Sequence, residues 1–252
     1  MSANDFVGVI PAAGLASRLG PLGYPKELLP ITYVAGDGGH LRPMPVIEAS
    51  FRQLREAGVG RALVITSDRK PELMQYLGNG GGIGLDLAFL QQARADGLAS
   101  AVALALPWTR GANACLLLPD TIVRPETALH QVRALFESAK ADLVLGVLPT
   151  DKPKELGPVR FDAAMRVIEV QDKPVETDLG NSWATALWGP AFAELLSHAV
   201  KHNPAVALGS VFQQAVDTGL NVRAVWFEGG AFYDVGTPKG LAQALPQFLK
   251  GL

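Results

Sequence analysis

Short apolar segments alternate along the chain with longer segments in which apolar residues recur every three or four positions. The short segments predict strands over residues 6–10, 61–66, 85–90, 114–118, 142–148, 182–188 and 222–227. The longer segments predict helices over residues 46–57, 71–77, 98–106, 125–138, 190–202 and 208–218, and a last helix that begins at Pro238. Strands without a polar side are typical of parallel sheets that helices cover on both faces. The pattern therefore predicts an α/β fold with a mainly parallel sheet flanked by helices.

The pattern changes near residue 150. Residues 157–161 and 165–170 predict a hairpin, and residues 232–234 predict a short strand end. Earlier in the chain, residues 34–41 form a turn-rich insertion. Because neither a long linker nor a fixed-period repeat interrupts the chain, we expect one domain over residues 1–252. Its first half, to about residue 150, would be completed by a smaller mixed half from about residue 151, with a cleft between them.

The loop after the first predicted strand is built from small residues. Ala12, Ala13 and Gly14 let backbone N–H groups approach an anion without obstruction by side chains. Arg18 adds a forked cation and Lys26 a compact one shortly afterwards. We expect this combination to bind the phosphates of a nucleoside triphosphate.

Two aspartates follow apolar strands at distant points of the chain. Asp120 comes after the apolar run 114–118, and Asp234 closes the strand end at 232–234. Ligands of open α/β sheets bind beyond the carboxyl ends of the strands, so both carboxylates are expected at the cleft. Each aspartate alone would more often cap a helix or begin a turn. Together with a phosphate loop they predict one Mg²⁺ site, since Mg²⁺ takes one or two carboxylates plus substrate phosphates.

Composition narrows the choice of function. The 252 residues are 48% hydrophobic and 18% charged, and a net charge of −2 provides no basic field that would attract nucleic acid. The single cysteine, Cys115, lies in an apolar strand and is expected to be a buried, inert thiol. Because we find neither an 18-residue apolar stretch nor an N-terminal targeting pattern, we expect no membrane partner and a cytoplasmic protein.

The N-terminal motifs resemble those of a known family. Gly-x-x-Pro-Ala-Ala-Gly-x-x-Ser-Arg-Leu at 8–19, followed by Pro-Lys-Glu-Leu-Leu-Pro-Ile at 25–31, resembles the opening of the sugar-1-phosphate nucleotidyltransferases. Glucose-1-phosphate uridylyl- and thymidylyltransferases are the most similar subgroups. The resemblance implies a Rossmann-like fold of the nucleotide-diphospho-sugar transferase type, with a nucleotide-binding first half and a sugar-phosphate-binding second half. It also implies Mg²⁺ as cofactor, and UTP or dTTP with a sugar 1-phosphate as substrates.

Further motifs extend the resemblance over nearly the whole chain. Leu-Leu-Pro-Asp at 117–120 and Tyr-Asp-Val-Gly-Thr at 233–237 resemble the family's two metal-binding motifs. Gln92 and Gly97 resemble the pair that contacts uracil or thymine, and a glutamine amide suits those bases because it both donates and accepts.

The sugar side of the family is also represented. Gly157, Asp172 and Lys173 resemble the residues that bind the sugar phosphate. The implied reaction is an in-line attack of the sugar-1-phosphate oxygen on the α-phosphorus, with release of pyrophosphate. Since the attacking phosphate is already anionic, catalysis would consist of positioning and charge neutralisation. The resemblance implies three catalytic residues: Arg18 for the β- and γ-phosphates, Lys26 for the triphosphate, and Lys173 for the attacking phosphate.

Several positions depart from the family pattern. Ala16 replaces a loop glycine, Asp172 a glutamate and Ala186 a strand glycine, and residues 208–211 replace a Glu-x-Thr-Asp motif. Most of these changes lie on the sugar side, so the sugar need not be glucose. A catalytically silent sugar-nucleotide sensor and a cytidylyltransferase acting on another phosphate stay open. A dehydrogenase does not fit, because Gly-x-Gly-x-x-Gly is missing after the first strand. The sequence leaves the choice between UTP and dTTP, the sugar and a homo-oligomeric state open.

Overall fold

A computed structural model describes residues 5–14, 18–20 and 22–248. These residues form the strands β1 (Phe6–Pro11), β2 (Pro30–Ala35), β3 (Leu41–Pro45), β4 (Arg61–Thr66), β5 (Asp86–Gln91), β6 (Asn113–Leu117), β7 (Thr121–Arg124), β8 (Leu143–Pro149), β9 (Val159–Phe161), β10 (Val167–Val170), β11 (Asn181–Trp188), β12 (Val222–Trp226) and β13 (Ala231–Asp234). The α-helices are α1 (Ile47–Glu56), α2 (Pro71–Leu77), α3 (Leu98–Ala103), α4 (Ala128–Ala139), α5 (Pro190–His202), α6 (Leu208–Asp217) and α7 (Pro238–Phe248). None of these helices is long and apolar enough to cross a membrane.

A seven-stranded sheet in the order β12-β8-β11-β6-β1-β4-β5 forms the centre of the fold. All neighbouring strands in it are parallel except that β11 runs antiparallel to both β6 and β8. The beginning of β11 therefore lies at the same edge of the sheet as the carboxyl ends of β1, β4 and β6. Ligand-binding loops of open α/β sheets gather at this edge.

Helices cover both faces of the central sheet, as the apolar strands predict. On one face, Val102 of α3, Phe192 of α5 and Phe212 of α6 pack in one hydrophobic cluster. On the other face, Phe51 of α1 and Phe136 of α4 belong to a second cluster. The observed architecture confirms the predicted α/β fold class.

Three short strand pairs lie outside the central sheet, and two of them were not predicted. Strands β2 and β3 take up both ends of the predicted turn-rich insertion, 34–41, so that only residues 36–40 connect them. Strand β7 pairs antiparallel with β13. The third pair, β9 with β10, is the predicted hairpin.

Two predicted helices have different boundaries in the structure. The helix expected over 98–106 ends at Ala103, because the backbone tightens into three-residue hydrogen-bonded turns ahead of Pro107. The helix expected over 125–138 begins only at Ala128, since residues 125–128 form a turn closed by the Ala128 N–H and the Pro125 carbonyl. The departure from the family pattern at Ala16 lies outside the described residues.

Candidate active site

The pairing of β7 with β13 brings the two predicted metal-binding aspartates together. Asp234 is in register with Thr121, and the Val235 N–H donates to the Asp120 carbonyl at 2.9 Å. A Cβ placed on Gly236 would lie 2.8 Å from Asp234 Oδ1 and 3.0 Å from Asp120 Oδ2. The two carboxylates therefore share the space above Gly236, which only a residue without a side chain leaves free.

Each of these carboxylates is paired with a cation from the N-terminal loop region. Arg18 Nη1 lies 3.1 Å from Asp234 Oδ2, and Lys26 Nζ forms an ion pair with Asp120 Oδ2. The Lys26–Asp120 pair is the more buried, whereas the Arg18 side chain is 61% exposed. Two cations thus flank two adjacent carboxylates, so this site can accept both a metal ion and phosphate groups.

The oxygen ligands that Asp120 and Asp234 offer fit Mg²⁺. The site offers two carboxylates, and the described residues contain no cluster of three or more histidine, cysteine, aspartate or glutamate side chains able to hold a metal. Mg²⁺ needs only one or two carboxylates, because phosphate oxygens and water complete its shell. A protein-enclosed Zn²⁺ site would require three or four protein ligands. Asp120 and Asp234 are the residues that would hold the ion.

A buried ion pair that the sequence analysis missed supports Lys26. Lys70 Nζ donates to Glu27 Oε1 at 2.8 Å and to the Ala12 carbonyl at 2.7 Å. Lys70 and Glu27 are only 6% and 1% exposed. Burial raises the pKa of the Glu27 carboxyl and lowers the pKa of the Lys70 ammonium, while their mutual attraction opposes both shifts. The pair links the end of β1 to the short helical turn that carries Lys26.

The predicted base-contacting residues lie beside each other. Gln92 Nε2 is 3.4 Å from the Gly97 carbonyl, and Gly97 precedes α3 with a φ of 104° that favours glycine.

The predicted phosphate loop follows β1. Ala12 and Ala13 are buried at the end of β1, and Gly14 follows them at the surface. The role of these small residues in phosphate binding stays a prediction.

The predicted sugar-phosphate residues lie near Leu156, Trp183 and the first turn of α6. The Lys173 N–H donates to the Leu156 carbonyl at 2.7 Å, which holds Lys173 next to Gly157. Gly157 packs so closely on Trp183 that a Cβ there would lie 2.1 Å from the indole Nε1. Asp172 approaches the first turn of α6, where a Cβ on Gly209 would be 3.3 Å from Asp172 Oδ1.

One cleft of about 620 Å³ brings most of the predicted residues together. Its lining includes seven of them: Arg18, Gly97, Asp120, Gly157, Asp172, Lys173 and Asp234. Lys26 and Gln92 are not part of the lining but contact it through Asp120 and Gly97. Ala12, Ala13 and Gly14 are outside it as well. A larger cavity of about 790 Å³ between α3 and α5 contains none of the predicted residues.

Solved structures share this fold over nearly the full chain. UDP-glucose pyrophosphorylase, crystallised with UDP-glucose, aligns with a TM-score of 0.82 and 19% identity over 98% of this chain and 100% of that one. The UTP-bound UGPase of Acinetobacter baumannii aligns with a TM-score of 0.77 and 19% identity over 96% and 93% of the two chains. A Bacillus anthracis protein crystallised with sucrose gives 0.83 at 20% identity, over 96% and 94%. At these identities the likeness shows the fold alone.

The sequence itself defines the class of protein. The chain belongs to the nucleotidyl transferase family, whose model matches residues 7–251. The glucose-1-phosphate thymidylyltransferase of Neisseria gonorrhoeae is 27% identical over 247 residues, which cover 94% of this chain and 80% of that protein. A protein of the same name from an Actinoplanes species is 31% identical over 171 residues, which cover 67% of this chain and 52% of that protein. The family resemblance inferred from the motifs is thereby confirmed.

Proposed function

We propose that this protein joins a sugar 1-phosphate to UTP or dTTP, giving a nucleotide sugar and pyrophosphate. The observation that supports the proposal is that Arg18 and Lys26 flank the adjacent carboxylates of Asp234 and Asp120, beside a cleft that Lys173 also lines. Such an arrangement offers separate charged positions to a triphosphate and to a second, attacking phosphate. The names of the relatives agree with this class of reaction.

The protein's contribution would be positioning and charge neutralisation. Arg18 would hold the β- and γ-phosphates and stabilise the departing pyrophosphate, and Lys26 would neutralise charge on the triphosphate. Lys173 would hold the attacking phosphate in line with the α-phosphorus. Mg²⁺ held by Asp120 and Asp234 would withdraw charge from the phosphate oxygens. The same carboxylates also pair with Arg18 and Lys26.

Gln92 and Gly97 would select the base, and Asp172 would contact the sugar. A glutamine amide both donates and accepts, so it can pair with the imide N–H and carbonyl of uracil or thymine. Cytosine presents an amino group in place of one carbonyl, so the same contact would be mismatched. This favours UTP or dTTP over CTP.

The direct test is pyrophosphate release with Mg²⁺, in which UTP, dTTP, CTP, GTP and ATP are crossed with a panel of sugar 1-phosphates. We expect turnover with UTP or dTTP and one class of sugar. A protein that binds a nucleotide sugar but never releases pyrophosphate, and never runs the reverse reaction, would instead be a sensor. Turnover confined to CTP would identify a cytidylyltransferase.

Asp234→Asn tests the role of the acid pair in the same assay. It keeps the side-chain volume but removes the negative charge, and we expect a loss of about 10²- to 10³-fold in kcat, the size of one lost electrostatic contact. Its control is Asp178→Asn, which removes an exposed carboxylate 2.6 Å from Arg160 and outside the cleft. Full activity of the Asp234 variant, or its failure to fold, would contradict the assignment.

A further inference from the structure

A threonine without an assigned role lies beside the two predicted metal-binding aspartates. Thr121 directly follows Asp120 and begins β7, and the antiparallel register places it opposite Asp234. Residues directly opposite each other in a ladder project their side chains from the same face. Thr121 and both aspartates also line the same cleft. The Thr121 side chain therefore projects from the face of the ladder that carries Asp234.

The Thr121 hydroxyl is available to a ligand. The residue is only 9% exposed. Its backbone N–H donates to the Leu118 carbonyl at 3.2 Å, whereas its hydroxyl bonds to none of the residues that the structure describes. The hydroxyl is also not one of the described polar atoms that are both sealed from solvent and unpartnered. Because buried polar groups normally have a partner, an unpaired hydroxyl that opens on a cleft points to a bound molecule.

The neighbouring acids already accept from other donors. Asp234 Oδ1 accepts from the Gly236 N–H at 2.8 Å, and its Oδ2 accepts from Arg18 at 3.1 Å. Asp120 Oδ2 is paired with Lys26. The Thr121 hydroxyl is therefore not required to satisfy either carboxylate.

The other hydroxyl side chain in the described lining of this cleft is already engaged. Ser182 is 1% exposed, and its hydroxyl accepts from the Gly157 N–H at 3.2 Å and donates to the Trp183 carbonyl at 3.0 Å. Thr121 is therefore the hydroxyl that can serve as an uncharged donor to a substrate in this cleft.

A phosphate oxygen is the acceptor that suits this position, an inference that rests on the proposed function. If that function holds, the α-phosphate of the nucleotide lies beside Asp120 and Asp234. A threonine hydroxyl supplies one hydrogen-bond donor. A donor that is already in place and faces an oxygen on which charge develops stabilises the transition state more than the ground state. We propose that the Thr121 hydroxyl donates to a non-bridging oxygen of the α-phosphate.

Two substitutions at one position test this contact. Thr121→Val removes the donor but keeps the β-branched shape, and Thr121→Ser keeps the donor. With Mg²⁺ present, we expect Thr121→Val to bind UTP several-fold more weakly in calorimetry. Its kcat/KM for UTP should fall by about 10- to 100-fold, the range for a lost hydrogen bond to a charged group. Thr121→Ser should stay close to the wild type in both measurements.

Thr109→Val is the matched control. Thr109 is 3% exposed and outside the cleft, and its hydroxyl donates to the Ala105 carbonyl at 3.2 Å. This control should lower the melting temperature but leave UTP affinity and kcat/KM unchanged. Thr121→Val should do the opposite, because it removes no hydrogen bond between described residues.

A Mg²⁺ titration separates a phosphate donor from a metal ligand. We expect the half-saturating Mg²⁺ concentration to be the same in Thr121→Val and in the wild type. If the variant needs more Mg²⁺ and excess Mg²⁺ restores its rate, the hydroxyl is a metal ligand and the inference is wrong.

The remaining outcomes separate this inference from the proposed function. If the wild type releases pyrophosphate and Thr121→Val equals it in UTP affinity and kcat/KM, the inference is wrong while the proposed reaction stands. If the wild type binds UTP but releases no pyrophosphate, the proposed reaction fails and UTP affinity decides the inference. Weaker binding in Thr121→Val that Thr121→Ser restores would then support it, and equal binding would refute it. If the wild type does not bind UTP, both fail.

Discussion

Replacing Lys70 by methionine should show how strongly the buried ion pair stabilises the turn that carries Lys26. The substitution keeps an unbranched side chain of similar length but removes the ammonium that lies 2.8 Å from Glu27 Oε1. Glu27 is then left 1% exposed without its cation, and its Oε2 atom already has no hydrogen-bond partner. The Ala12 carbonyl loses its donor as well.

The expected loss in the free energy of unfolding is large. Removing one partner of a buried ion pair costs about 3–5 kcal/mol, because the other charge stays buried and uncompensated. At 2–4 °C per kcal/mol for a domain of this size, the melting temperature should fall by roughly 10 °C. Replacing both partners, as in Lys70→Met with Glu27→Leu, leaves no buried charge and should recover most of the loss.

The loss of folding stability in Lys70→Met should also depend on pH, in a direction that follows from the pKa of Glu27. Burial already raises the folded-state pKa of Glu27 above its ordinary value of 4.5, and without Lys70 it should rise further. A carboxyl whose pKa is raised on folding favours the folded state below its unfolded pKa and loses that contribution as pH rises through its folded pKa. The deficit of Lys70→Met should therefore be smaller at pH 5 than at pH 8.

Thermal unfolding and UTP binding, measured on the same samples, test this reasoning. The matched control is Arg42→Met, which removes the partner of another poorly exposed carboxylate, Glu48, 2.7 Å away and outside the cleft. We expect that control to lower stability but to leave UTP affinity unchanged. The Lys70 and Glu27 double variant should regain stability yet bind UTP weakly, because Lys26 has lost its link to the end of β1. A melting temperature of Lys70→Met within 2 °C of the wild type at both pH values would refute the argument.

Three further outcomes are expected. Gly209→Ala should raise KM for the sugar phosphate with little change in melting temperature, because the new Cβ would lie 3.0 Å from the Asp172 side chain. Its control is Gly229→Ala, where a Cβ would meet nothing within 4 Å. Complete burial raises the pKa of Cys115 to about 12, so mass spectrometry should detect no alkylation at pH 8 until the protein is unfolded in urea. Removing Mg²⁺ with a chelator should weaken UTP binding to the wild type, measured by calorimetry, but should hardly change UTP binding to Asp234→Asn. Equal weakening in both proteins would contradict the metal assignment.

The central sheet could be predicted from sequence because its strands are buried on both faces. Strand β6 (Asn113–Leu117) is buried at every position, and all of its residues after Asn113 are apolar. Strand β2 instead has a single buried residue, Ile31, and its hairpin contains three prolines, Pro30, Pro43 and Pro45, so this composition resembles a loop. The direction of β11 has no signature in its own residues, since only its pairing with β6 and β8 makes it antiparallel.

The candidate site also contains residues that could be predicted from local sequence and residues that could not. Arg18, Lys26, Asp120 and Asp234 could be predicted because each belongs to a local motif of several residues. Lys70 and Glu27 are 43 positions apart, and neither stands in a pattern that announces a buried charge. The best available signal was the position of Lys70 just after the end of β4, at the edge of the sheet where the β1 loop also lies.

The prediction for Asp234 places it correctly at the cleft but for an incomplete reason. We expected both carboxylates to follow strands of the main sheet, and Asp120 does follow β6. Asp234 ends β13, which belongs to a separate two-stranded ladder with β7. Because β7 begins directly after Asp120, antiparallel pairing necessarily sets the end of β13 beside it. The distance between the two carboxylates thus depends on a four-residue ladder and on Gly236, so a side chain at position 236 should separate the acids without disturbing the central sheet.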